Sequence, residues 1–200
     1  MNRRCTLATL YYHVEADYYS DYGVTMNPDL PDDVSFVKGE IITVQLPDPM
    51  EFEVNFPSDK DVPHFIGFNS LPVLSELLLK TIMSCGVDNF QTFPAILKNP
   101  ETGKFWKGFF ALNVIGILAA ADPVKSESDI IMEGDPDGVD VPLVGFNTIV
   151  LDKSKTYDML MFRLAESPST LLIHDTVYNH IVANKPATGW NFIATEVDAV

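Results

Sequence analysis

The stretch Leu71–Pro94, LPVLSELLLKTIMSCGVDNFQTFP, sets the reading of the chain, because a looser version of it returns as Leu171–Glu196, LLIHDTVYNHIVANKPATGWNFIATE. In the first, Ser75 stands where a helix cap is needed, and Leu74, Leu77, Leu78 and Ile82 fall on one helical face. Gly86 stops the helix, and Phe90 and Phe93 open an extended segment. In the second, Ile173, Val177, Tyr178 and Ile181 line a helical face, Gly189 follows, and Trp190, Phe192 and Val197 read as a strand. Aligning the two sets His174 on Ser75, an offset of roughly one hundred residues, too long for a solenoid repeat. The chain therefore reads as an α+β domain of two weakly similar helix-strand half-units, with a twisted, mainly antiparallel sheet and two principal helices.

Outward from the first unit, Phe90–Leu97 and Phe105–Leu118 read as strands joined by the turn Asn99–Lys104, NPETGK, a pair expected at the centre of the sheet. Upstream, Thr6–Val14 is an expected opening strand and Asp17–Asp33 a loop or irregular arm. Lys38-Gly39-Glu40 reads as a turn between two short strands within Ser35–Leu46, and Glu51–Phe56 as a strand with one wet face. Pro57–His64 is polar and proline-bounded and marks the expected lobe boundary. Downstream, Ala121–Asp140 is acidic and is expected to be exposed and mobile. Leu143–Leu151 and Met159–Leu164 read as two strands joined by a hairpin over 152–158.

The chain has 200 residues, 46% hydrophobic and 20% charged, which fits one folded domain and excludes a disordered chain. Its net charge of −15 is uneven: residues 1–64 carry 4 basic and 12 acidic groups, 65–120 carry 4 and 3, and 121–200 carry 5 and 13. A field of this sign repels nucleic acid and anionic lipid and steers toward basic proteins, so neither nucleic acid nor a membrane is an expected partner. The longest apolar run, Phe109–Ala121, is interrupted by Asn113 and too short to cross a bilayer. His13, Glu15 and Asp17 break the N-terminal apolar run too early for a signal peptide. Cys5 and Cys85 lack metal or redox spacing and are expected to be free thiols, so the expected compartment is the cytoplasm.

No motif carries chemistry. Asp135-Pro136-Asp137-Gly138 resembles the start of a calcium loop, but its glycine comes too early, and it reads as a turn. His174 and His180, six apart on one helix, point to opposite sides and cannot share a metal. His13 and His64 are isolated, and His174 beside Asp175 reads as a polar helix boundary before it reads as an acid/base couple. Glu51 and Glu53 share one side of a strand and read as a solvated face. Asn113 is the oddest polar residue, a buried amide expected to tie two strands together. Elbow, P-loop and dinucleotide fingerprints are missing, and no cofactor or metal is expected.

Residues 65–197 nevertheless carry an ordered series: Ser75, Gly86, Phe93-Pro94, Leu112-Asn113-Val114, Phe162-Arg163-Leu164, then Thr188-Gly189 and Phe192. In that order and spacing the chain resembles a bacterial immunity-protein family of polymorphic toxin systems, first catalogued as a domain of unknown function. His174 stands where that family often has serine, and the first 64 residues match it only loosely. Length and composition give an expected single domain over 1–200, with a β-rich N-terminal lobe at 1–63 that the resemblance does not support and an immunity-like core at 64–200 that it does. The resemblance implies a cytoplasmic, non-enzymatic protein, monomeric or weakly dimeric, that neutralises a cognate secreted toxin by stoichiometric occlusion. A nuclease toxin with a basic groove would suit the acidity. Partner contacts are then expected at Glu127, Asp129, Glu133, Asp135, Asp137 and Asp140, or on the arm at Asp29, Asp32 and Asp33, with Tyr18, Tyr19 and Tyr22 as aromatic anchors. The rival classes are an adaptor or structural protein of a secretion or phage-derived assembly, and a hydrolase, which requires a deep pocket with a perturbed acid/base group.

Overall fold

A computed structural model describes residues 11–17, 22–57, 61–68, 70–134 and 141–198. In chain order the first half carries β1 (Tyr11–Ala16), β2 (Val24–Met26), β3 (Met50–Val54), β4 (Phe65–Phe68), β5 (Leu71–Ser75), α1 (Glu76–Ser84), β6 (Phe90–Lys98) and β7 (Phe105–Val114). There follow β8 (Ile117–Leu118), β9 (Glu127–Met132), β10 (Leu143–Thr148), β11 (Val150–Asp152) and the short α2 (Lys153–Thr156). The chain then runs through β12 (Met161–Leu164), β13 (Leu171–His174), α3 (Asp175–Asn184), β14 (Trp190–Ala194) and β15 (Glu196–Asp198). The fold is α+β, as expected, and its strands divide among sheets: six in the order β2-β3-β6-β7-β5-β4 and five in the order β14-β1-β13-β12-β8, with two further pairs, β9 with β10 and β11 with β15.

The two half-units are visible in the topology. The run β6-β7-β5-β4 is antiparallel throughout, and so is β14-β1-β13-β12. In each, the third strand of the run leads directly into a helix, α1 after β5 and α3 after β13. The caps also match. Ser75 has φ −68° and ψ 156°, and its hydroxyl accepts from the Leu78 N–H; His174 has φ −68° and ψ 152°, and its Nδ1 accepts from the Thr176 N–H. An imidazole nitrogen thus does the work of the serine oxygen, satisfying one of the orphan donors of the first turn. Even the approach to the cap repeats: Ser75 N–H donates to the His64 carbonyl at 2.8 Å, and His174 N–H to the Leu160 carbonyl at 2.9 Å.

The inner faces of both sheets close over the two helices. Leu78 and Ile82 of α1 and Val177 and Ile181 of α3 are buried in one cluster with Val14, Leu74, Leu112, Val114, Met161, Leu171 and Ile173. Leu77, expected on the buried face, is 51% exposed, and Leu79 is buried instead. With the helix starting at Glu76, the arc buried by Leu78, Leu79 and Ile82 excludes Leu77. Two outer clusters flank this core. One lies around Phe52, Leu97 and Ala111 under residues 30–46, and the other around Tyr11, Leu151 and Phe162 under β11 and β15. Arg163, in the second sheet, is fully buried; its Nη1 donates to the Pro168 carbonyl at 2.9 Å, and burial lowers its pKa to about 10.

Several expectations are corrected. β6 and β7 are indeed central, closed by Asn99, whose side-chain oxygen accepts from the Glu101 and Thr102 N–H groups. Ser35–Leu46, however, holds no strands. Its backbone is tied instead to side chains of the sheet: Ile42 N–H donates to Gln91 Oε1 and Asn113 Nδ2 donates to the Glu40 carbonyl. Asn113 also donates to Gln91 across the β6–β7 pair, so it ties two strands and the Ser35–Leu46 segment together. The proposed hairpin over 152–158 is a helical turn capped by Asp152, because β11 pairs with β15 in parallel and not with β12. The final strand is two strands, broken at Thr195, whose N–H and hydroxyl both donate to the Tyr11 carbonyl.

A joint between the sheets forms beside Gly189, where Phe65 N–H donates to the Thr188 carbonyl at 3.1 Å, while Asp17 N–H donates to the Gly189 carbonyl at 3.0 Å and extends the β1–β14 pairing. Gly189 has φ +88°, and a Cβ there would collide with the Phe65 carbonyl oxygen and come within 2.9 Å of Pro63 Cβ. Gly189→Ala is expected to lower the unfolding free energy by about 3 kcal/mol or more, read as the urea midpoint. For the second cap, His174→Ala is expected to cost about 1 kcal/mol and His174→Ser to restore most of it. Equal midpoints for the parent and both cap variants would remove the capping role.

Candidate functional site

The described part of the segment expected to be acidic, exposed and mobile carries β9, one strand of a two-stranded β-ribbon. Among the described residues β9 pairs only with β10, with Ile130 opposite Val144, Asp129 opposite Gly145 and Ser128 opposite Phe146. Every residue of β9 is exposed, including Ile130 at 60%, Ile131 at 73% and Met132 at 62%. An isolated two-stranded ribbon is marginal in water, so its stability has to come from its base.

The base is well fastened. Asp122 N–H donates to the Val150 carbonyl, and the Asp122 carboxylate accepts from the Val124 and Lys125 N–H groups. Those backbone bonds hold the Asp122 pKa below the ordinary carboxylate value, as the Ser154 hydroxyl does for Asp152. The Ser126 hydroxyl exchanges two bonds with Val150, donating to its carbonyl and accepting from its N–H, each at 3.1 Å. Phe146 packs against the outer cluster of the five-stranded sheet. Glu166 holds both legs: its carbonyl accepts from Val144 N–H at 2.8 Å and its Oε1 from Ala121 N–H at 3.2 Å.

Of the acidic residues picked from the sequence, Glu127, Asp129 and Glu133 are exposed on the ribbon. Asp29, Asp32 and Asp33 are exposed on the arm, whose Leu30 and Val34 pack on the outer cluster of the six-stranded sheet. The two groups therefore belong to different outer layers, separated by the central core. Tyr22 is half-buried with its ring 6.3 Å from that of Phe56, a supporting contact of the same outer cluster. Asp135, Asp137 and Asp140, with the calcium-like turn, and Tyr18 and Tyr19 lie outside the described residues. The apolar run Ile130-Ile131-Met132 lies among these acids but outside the residues expected from charge. Its signal was there: three consecutive apolar residues between acids, in a segment without helical period.

The histidines have structural partners. His64 Nδ1 lies 2.8 Å from the Ser75 hydroxyl, His180 Nε2 lies 2.9 Å from the Ser84 hydroxyl, and His174 caps α3. Burial lowers the His13 pKa, against the pull of Glu15. A cleft of about 660 Å³ beside Phe65 and Trp190 has Asp17 as the one carboxylate among its described lining residues. No group of three potential metal ligands occurs among the described residues, and none of their helices is long and apolar enough to cross a membrane.

The model of the Imm11 immunity protein family matches residues 1–197. The chain belongs to that family. No curated protein matches it. The match extends across the first 64 residues as well, beyond the stretch on which the sequence motifs rested. Imm11 membership implies a toxin as partner and the role of a non-catalytic inhibitor.

Glu166 supplies a pH test of the ribbon's base. Burial raises its pKa, although backbone N–H groups, Ala121's among them, pull the other way. A raised folded value favours the neutral acid, so that contribution is complete below the unfolded value and is lost as pH rises through the folded one. Glu166→Gln, neutral at every pH, is expected to melt above the parent near pH 7, with the difference closing below about pH 4. An unchanged difference across that range would show that the carboxylate is not the source.

Proposed function

We propose that this chain neutralises a cognate toxin in the cytoplasm of its producer by binding it one to one and covering its working surface, with the β9–β10 ribbon as the principal contact. Imm11 membership supports the partner class. The observation that carries the choice of surface is the ribbon itself, where exposed Ile130, Ile131 and Met132 lie between Glu127, Asp129 and Glu133. An apolar centre with a charged surround is the composition of a protein interface, and a solvent-facing strand has no folding reason to carry three large apolar side chains.

The net charge of −15 adds long-range attraction. A toxin with a basic groove, as nucleases have, would be drawn in at a rate that falls with salt. The apolar residues would then hold the docked complex, since they act over contact distances only.

Co-expression with the toxin encoded beside this gene is expected to restore growth and to yield a stoichiometric complex. Replacing Glu127, Asp129 and Glu133 together by lysine is expected to slow association by roughly tenfold or more at low salt. An unchanged rate would exclude the ribbon charges. Complex without rescue would favour an adaptor, and rescue without complex would favour an enzyme.

A further inference from the structure

Among the described residues the ribbon has one fastened edge and one open edge. On the β10 side, Val144 N–H points away from β9 and donates to the Glu166 carbonyl at 2.8 Å. In an antiparallel ladder a residue whose N–H points outward belongs to a pair that exchanges no hydrogen bonds, so its partner's backbone also points outward. The partner of Val144 is Ile130, and two residues back along the regular part of the ladder Phe146 faces Ser128. Ser128 and Ile130 therefore present their N–H and C=O groups to the open side of β9, about 7 Å apart. Among the described residues only β10 lies beside β9.

Resting on the toxin-binding reading above, we infer that the toxin adds a β-strand to the open edge of β9, and that this strand carries Lys or Arg beside apolar side chains. Main-chain bonds at Ser128 and Ile130 supply register, as in other cases of strand addition. The exposed side chains supply selectivity: Glu127 and Asp129 favour cations across from them, and Ile130, Ile131 and Met132 favour apolar neighbours. A second copy of this chain is the wrong occupant. Antiparallel self-pairing about Ile130 would set Glu127 of each copy opposite Glu133 of the other, and like charges directly opposite destabilise a sheet. Acidic edges of this kind are a known way of discouraging self-association while leaving the backbone open.

The test compares Ser128→Pro with Ser128→Ala in the full chain, titrated with the co-encoded toxin domain. Proline removes only an N–H that faces the open side, a position where edge strands tolerate it. Ser128→Pro is expected to weaken binding about tenfold or more, and Ser128→Ala to stay within about threefold of the parent. Amide exchange of the parent chain gives a second readout that does not depend on the proline variant folding. The Ser128 and Ile130 amides should exchange quickly in the free protein and become protected in the complex. A complex in which both amides stay unprotected, or in which Ser128→Pro binds as the parent does, overturns strand addition and leaves toxin neutralisation standing. No complex with the parent chain overturns the neutralisation reading, and this inference with it.

Discussion

Everything in this fold depends on two helices that share one core. Neither α1 nor α3 has a sheet to itself: Leu78 and Ile82 of one meet Val177 and Ile181 of the other, and both sheets close over them. A half-unit alone would leave one side of its helix in water, and an amphipathic helix gains most of its stability from the face it buries. The duplication is therefore a physical requirement as much as a pattern. It also explains why the joints matter. Thr188, following α3, accepts from Phe65 at the edge of the first sheet. Asn89, following α1, reaches back to the Met161 carbonyl in the second.

The half-units were legible in the sequence because their signals are local. A capping residue, an apolar period near 3.6 and a glycine stop need no knowledge of the rest of the chain. Aligning His174 with Ser75 places it at the start of the second helix but does not make it a cap; only the geometry shows its nitrogen in the serine oxygen's place. Strand partners were not legible. Period-two alternation marks a strand without naming its neighbour, so nothing in Tyr11–Ala16 reveals that it lies between β13 and β14. The hairpin expected over 152–158 failed for the same reason: two adjacent strand-like runs look paired, and here the first is claimed by β15.

At the surface, charge was legible and shape was not. Glu127, Asp129 and Glu133 announced an exposed segment, and exposed it is. Acidity points to exposure and is silent on pairing, and the fastening at Asp122, Ser126 and Glu166 is what supports a ribbon there. Those three residues lie in turns or loops outside the ribbon, so the order of the segment comes from groups that a local pattern does not include. The family match answers a different question from either: it gives the class of partner and is silent on the face.

The place of β1 has a consequence for synthesis. Tyr11 pairs with His174 and Ala16 with Trp190, so the strand that completes the second sheet leaves the ribosome long before its neighbours exist. At ordinary translation rates the delay is about 10 to 30 s, far longer than a local hairpin needs to form. During that interval the six-stranded sheet has most of its partners, and β1 has none. The second sheet is thus the late, non-local event of folding, and the nascent chain must keep a tyrosine-bearing apolar strand from pairing elsewhere until the last residues of α3 and β14 arrive.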